Sequence, residues 1–284
     1  MLEEQMFVGD QLSLNYVEGP ESGPPLILFH GVLRTWQDYV PLIPSFGWRW
    51  QVFAMDHRGH GKSQRASGKY QVRDFVRDAV QFVRDIVEEP VVIYGHSLGA
   101  MVAAAVAARL PDKVRGIVME DPPFDTMGER IKETSFHSLF SGIKGLLGRN
   151  FDCNELSRQL AEMLIGTPGD ERWIRLGDVR DPVSLRFVAK CLTTVDPSVL
   201  KPIVEGRWLE DFHRNEILER IHCPVLLLQA DSHTGGMLPD DDAQRITELI
   251  PNCTLVKVLD CGHLIHWERT ETTLQVVNGF IETL

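Results

Sequence analysis

The 284-residue chain is 43% hydrophobic and 24% charged, the balance of an ordinary globular protein with one large domain, room for an insertion and a sizeable core. Its 29 basic against 40 acidic residues leave a net charge of −11, which argues against nucleic acid or an anionic membrane surface as the main partner. No run of about 18 apolar residues occurs, so no transmembrane helix is expected.

The opening Met1-Leu2-Glu3-Glu4-Gln5 is acidic and has no apolar signal core. Strands are predicted over 12–17, 26–30, 51–56, 91–94, 116–120, 225–229 and 254–259. Several of these are unbroken apolar runs, as parallel strands covered on both faces require. Helices are predicted over 72–87, 100–109, 240–249 and 271–283. In the first of them Val72, Phe75, Val76, Ala79, Val80, Val83 and Val87 recur at three- and four-residue steps, a core-facing stripe. The alternation reads as an α/β fold with a mostly parallel sheet. It breaks between about 124 and 215, where Phe136, Phe140, Phe151, Trp173, Phe187 and Trp208 stand among helical and irregular segments. The simplest division is a core of 1–123 plus 216–284, with 124–215 inserted as a helical cap over the strand ends. Any single cap aromatic is better explained as packing than as pocket lining. The cysteines at 153, 191, 223, 253 and 261 are scattered without metal-ligand spacing and read as reduced thiols, which points to the cytoplasm.

One segment carries chemistry. Residues 95–99 read Gly-His-Ser-Leu-Gly, between the apolar run 90–94 and the Ala-rich stretch from 100 to 109. A strand, a Gly-x-Ser-x-Gly turn and a helix in that order form a nucleophile elbow. So tight a turn holds Ser97 in a strained backbone conformation and leaves no room for side chains at Gly95 and Gly99. The Ser97 hydroxyl then projects at a helix N-terminus, whose free N–H groups suit a developing oxyanion.

Three further segments fall in order around the elbow: His30-Gly31 after a strand, Asp56-His57-Arg58-Gly59-His60-Gly61-Lys62-Ser63, and Gly262-His263 after the last strand. With these four segments the chain resembles the α/β-hydrolase superfamily over essentially its full length. The resemblance implies Ser97 as nucleophile and His263 as its general base, with the oxyanion hole made by the backbone N–H groups of Val32 and Leu98. It gives the 56–63 turn a structural role. In similar proteins His30 and His96 line the site or brace the turn; Trp36, just after the oxyanion loop, is placed to line the pocket or to pack beneath the cap.

Two carboxylates compete to orient His263. The family's usual acid follows the strand matching 225–229, where this chain has Asp231, two residues earlier than the pattern expects. Some members, haloalkane dehalogenases among them, take it from the strand after the elbow helix, and Asp121 lies there, 24 residues after Ser97. The reading leans slightly to Asp121 and keeps Asp231 close behind, with Glu120 a distant third. No metal cluster, phosphate loop or dinucleotide fingerprint is present, so no cofactor is expected. The expected reaction is acyl transfer to water on a small, fairly apolar ester or lactone, through an acyl-enzyme on Ser97. Carbon–carbon bond hydrolases, thioesterases and cofactor-free haloperoxidases share these motifs, and a ligand-binding protein on the same fold is the rival from another class. An acidic substrate would call on a cap arginine, for which Arg172, Arg175, Arg180 and Arg186 are available.

Overall fold

The computed structural model describes residues 2–167 and 173–284. Eight strands form one sheet: β1 (Glu3–Val8), β2 (Ser13–Glu18), β3 (Pro25–Phe29), β4 (Gln51–Met55), β5 (Val91–His96), β6 (Val114–Glu120), β7 (Val225–Ala230) and β8 (Cys253–Val258). Their spatial order is β1-β2-β4-β3-β5-β6-β7-β8. The pairings β1–β2 and β2–β4 are antiparallel, and every pairing from β4 to β8 is parallel. The fold is therefore the α/β-hydrolase fold, a mostly parallel sheet flanked by helices.

Burial explains which strands the sequence announces. β3, β5 and β7 are buried at every position, and each is an apolar run. Strand β1 was not expected, because it lies exposed along the edge and its Glu3, Glu4 and Gln5 have no core face to fill. Side chains alternate across the sheet, so Ile27 and Phe29 of β3 join the core on one face while Leu26 and Leu28 join that on the other. The first face is covered by α1 (Val72–Ile86), through Phe75, Val76, Ala79 and Val83, and by the Ala-rich α2 (Leu98–Arg109), which is buried almost throughout. At its start, α1 is held by the Asp74 carboxylate, which accepts the Gln71 N–H at 3.0 Å. The second face is covered in part by the last long helix, Thr270–Ile281, through Val277 and Ile281.

Among the described residues, the chain between β6 and β7 contributes no strand to the main sheet. Its helices include α3 (Ser135–Leu146), α4 (Cys153–Glu162) and α5 (Pro182–Leu192), with a two-strand ribbon pairing Leu164–Ile165 with Ile174–Arg175. Trp208, expected among the insertion's aromatics, is fully buried in the core, whereas Trp173 is half exposed. Asp181 starts α5 by accepting the N–H groups of Val183 and Ser184, each at 2.9 Å.

The loops that matter leave the C-terminal ends of parallel strands: 30–35 after β3, Ser97 after β5, Asp121 after β6, Asp231 after β7 and His263 after β8. Ligand sites in open α/β sheets form at that edge.

Candidate active site

The elbow is as tight as its glycines imply. Ser97 sits at φ +54°, ψ −115° between β5 and α2. A Cβ on Gly95 would lie 2.1 Å from the Gly99 carbonyl oxygen, and one on Gly99 would lie 1.8 Å from that of Phe29, so neither position accepts a side chain. Gly31 packs onto the same turn, since a Cβ there would meet His96 Nδ1 at 2.8 Å and Ser97 Cβ at 3.3 Å.

The oxyanion loop is braced from below. Leu33 stands at φ +65°, and its N–H donates to His60 Nε2 at 3.1 Å. The buried His30 ring accepts the His57 N–H at Nε2 (3.0 Å), so its Nδ1–H donates to the Gly31 carbonyl at 2.7 Å. Asp56 accepts from the backbone N–H of Trp36 at 2.8 Å and of Lys62 at 3.1 Å, which ties the 56–63 turn to the oxyanion loop. The N–H groups of Val32 and Leu98 donate to no partner among the described residues. That leaves two main-chain donors beside Ser97, as an oxyanion hole requires.

The structure brings Asp121, not Asp231, to His263. Asp121 Oδ2 lies 2.6 Å from His263 Nδ1. The carboxylate is fully buried and also accepts the N–H groups of Met237 (2.7 Å), Ala230 (3.2 Å) and Leu238 (3.3 Å). Three main-chain donors make it a fixed acceptor, so His263 Nδ1 carries the proton and Nε2 is left with its lone pair. Asp121 itself stands at φ +44°, a strained conformation held by these bonds. Asp231 serves elsewhere: it accepts the His233 N–H at 2.9 Å and the Asp260 N–H at 3.3 Å, capping the turn Ser232–Thr234. The displacement of Asp231 from the expected register is thus a structural detail of that turn.

Ser97, His96 and His263 line one cavity with Gly31, Val32 and Arg34. The opposite wall comes from the 124–215 segment, chiefly Phe136, Leu139, Phe140, Leu160, Leu185 and Val188. The inner chamber measures about 150 Å³ and adjoins a vestibule of about 730 Å³ that shares Phe136, Arg180 and Ser184. The Ser97 hydroxyl makes no hydrogen bond among the described residues; such bonds are often long before substrate binds.

Two expected lining residues are elsewhere. Trp36 does not reach the cavity and packs against the core on the second face of the sheet, and His30 lies wholly beneath the oxyanion loop. Of the four arginines considered, Arg180 lines the cavity and pairs with Glu268 at 2.8 Å. Arg175 is paired with Asp178 on the surface, Arg186 binds Asn154, and Arg172 falls outside the described residues.

Sequence reasoning assigned no role to Arg34, Asp38 or His266 and weighed Glu120 only as a distant third candidate for the acid. Arg34 lies 5.5 Å from the centre of the Phe187 ring and 3.5 Å from Asp38. Glu120 accepts from His266 Nδ1 at 2.8 Å and from the Tyr94 hydroxyl at 2.5 Å. The only pointer to them was position: Glu120 precedes Asp121, and His266 follows His263 by three residues.

Burial sets the protonation of these groups. It depresses His30 to about 3, His60 to about 4 and His96 to about 3, and drives His57 far down. In the opposite sense, burial raises Asp56 to about 6, and burial with the neighbouring Asp125 raises Asp242 to about 7. The four rings are neutral when folded but titrate near 6.5 when unfolded, so the stability they give is complete above about 6.5 and lost as pH falls. Asp56 and Asp242 hold protons the unfolded chain has released, and offset about half of this. The net, about two protons, predicts a loss of about 2–3 kcal/mol per pH unit on acidification from about 6 to 4.5. Urea unfolding across that range checks it, and a flat profile would contradict it.

Comparison with known proteins agrees with the fold. A 2-(acetamidomethylene)succinate hydrolase of Mesorhizobium japonicum is 24% identical over 96% of this chain and 92% of its own. A serine hydrolase-like protein of Danio rerio is 34% identical over 94% of this chain and 84% of its own. The crystal structure of an E-2-(acetamidomethylene)succinate hydrolase superposes with a TM-score of 0.77 at 21% identity, covering 99% of this chain and 100% of that one. The family model described as alpha/beta hydrolase fold matches residues 24–270, a span that holds the elbow, the oxyanion loop, Asp121 and His263. The chain belongs to the alpha/beta hydrolase family.

Proposed function

We propose that the protein is a serine hydrolase that cleaves a carboxylic ester or lactone of a small, largely apolar molecule, with Ser97, His263 and Asp121 as its catalytic residues. The observation that carries this reading is the Asp121–His263 hydrogen bond at 2.6 Å, on the wall of the cavity that Ser97 also lines. In this reading 124–215 acts as the cap, and its Phe136, Phe140 and Leu185 hold the apolar part of the substrate over the nucleophile.

The chemistry follows from the fixed tautomer. Ser97 Oγ attacks the substrate carbonyl carbon and its proton passes to His263 Nε2. The carbonyl oxygen takes up the electron pair and rests on the Val32 and Leu98 N–H groups. Asp121 stabilises the imidazolium, which then protonates the departing alkoxide. Water, deprotonated by His263, attacks the acyl-enzyme and regenerates Ser97. Free thiols at all five cysteines support a reducing, cytoplasmic setting.

A second reading is favoured by Arg34 and Arg180, the two arginines of the cavity wall among the described residues. A relative is named for a succinate derivative, and a substrate carboxylate would compete with Glu268 for Arg180 and with Asp38 for Arg34. Rates on neutral p-nitrophenyl esters and simple lactones, set against a succinate half-ester of the same alcohol, separate the two. Faster turnover of the neutral compounds is expected. A preference above about tenfold for the half-ester would favour the acidic substrate (about 1.4 kcal/mol of differential binding). Saturable binding without Ser97-dependent turnover would instead make the protein a ligand binder.

A further inference from the structure

Behind the catalytic histidine lies a buried charged array that the mechanism above does not use. His266 is wholly inaccessible to solvent. Its Nδ1 faces Glu120, at 2.8 and 3.0 Å from the two carboxylate oxygens, and its backbone N–H reaches the first of these at 3.0 Å. Its Nε2 lies 3.4 Å from Asp38 Oδ2. The other Asp38 oxygen accepts the Trp267 indole N–H at 3.0 Å and faces Arg34 at 3.5 Å. The Tyr39 ring stacks on His266 at 5.4 Å.

His96 connects this array to the site. Its Nε2 lies 2.9 Å from the His263 carbonyl oxygen. A carbonyl only accepts, so Nε2 carries the proton and Nδ1 is a bare lone pair. That lone pair lies 3.9 Å from Asp38 Oδ2. His96 Nδ1, Asp38 Oδ2 and His266 Nε2 are all buried without a hydrogen-bond partner among the described residues, and they lie within 4.8 Å of one another. Two of the three are acceptors only. They stay together where the third presents a positive N–H, and the charges then balance as Asp38 and Glu120 against Arg34 and His266.

We propose that His266 is held as an imidazolium between Glu120 and Asp38, and that His266, Asp38 and Glu120 are positioning residues that fix His96 and, through its hydrogen bond, the His263 loop. Electrostatics supports the geometry. Burial alone disfavours the charged ring, but attraction to Glu120 and then Asp38 outweighs it and raises His266 to about 9. Glu120 is likewise lowered, against its burial, to about 2, chiefly by attraction to His266. The positioning role rests on the hydrolase reading, whereas the charge state of His266 does not.

Imidazole nitrogen NMR on the full-length protein at pH 7.5 tests the charge state. Both His266 nitrogens are expected to carry protons. A neutral tautomer, or a stoichiometric metal ion in the native mass spectrum of the purified protein, would overturn the proposal. Kinetics test the positioning role. In Asp38→Asn and Glu120→Gln, kcat is expected to fall about 10²-fold because the ring of His263 is displaced; KM changes less than about threefold in Glu120→Gln, whose side chain is not on the cavity wall, and more in Asp38→Asn, which also releases Arg34 of that wall. Reaction of Ser97 with a fluorophosphonate slows in parallel. Wild-type rates in both folded variants would overturn the role, and should one variant fail to fold, the other and the NMR experiment decide. A wild type that neither turns over nor labels would refute the hydrolase reading and the positioning role together, and the NMR result would still stand by itself.

Discussion

Replacing Ser97 with Ala is expected to lower kcat on an activated ester by about 10⁶-fold, with KM nearly unchanged. The substitution removes the proposed nucleophile, the hydroxyl that the elbow presents at the cavity wall. Alanine fills the Ser97 position at φ +54° with no more strain than serine, so the elbow and the sheet are retained. The residual rate measures what the oxyanion hole and the cavity give unaided. Initial rates at matched protein concentration, with folding verified by circular dichroism, check this. A loss of less than about tenfold would mean that turnover does not pass through Ser97.

The second large effect separates the two carboxylates. Asp121→Asn is expected to lower kcat by about 10⁴-fold, whereas Asp231→Asn changes it by less than about threefold. Asp121 accepts four hydrogen bonds, three of them from main-chain N–H groups. An amide there must turn an NH2 toward donors already in place or reverse the His263 tautomer, and either leaves the ring unable to take the Ser97 proton. The same conflict costs about 1–3 kcal/mol of stability, because a buried donor loses its acceptor. At Asp231 asparagine serves nearly as well, since its side-chain oxygen can still cap the turn Ser232–Thr234. A reversed order of the two variants would move the acid to Asp231.

Much of this was legible in the chain, and the reasons differ by element. Central strands and the elbow announce themselves because their chemistry has few alternatives. An apolar run such as β5 has to be buried on both faces, and Gly95 and Gly99 admit no side chain. The choice between Asp121 and Asp231 depends on which carboxylate meets the N–H groups of Met237 and Leu238, 116 and 117 residues further along the chain than Asp121, and no local pattern encodes that meeting. Spacing from Ser97 favoured Asp121 only slightly. Trp36 was misread because its nearness to the oxyanion loop in sequence does not fix its direction; its backbone N–H is held by Asp56 and its ring turns into the core. Glu120 and His266 carried no motif. Their partners come from separate segments, and a buried pair of this kind is visible only once the segments are assembled.

The hydrolase account is tested most directly by the intact mass of the full chain after exposure to a fluorophosphonate, wild type beside Ser97→Ala. One adduct that maps to Ser97 in the wild type, with none in the variant, is the predicted result. A folded wild type that stays unmodified, or an adduct that persists in Ser97→Ala, would contradict it.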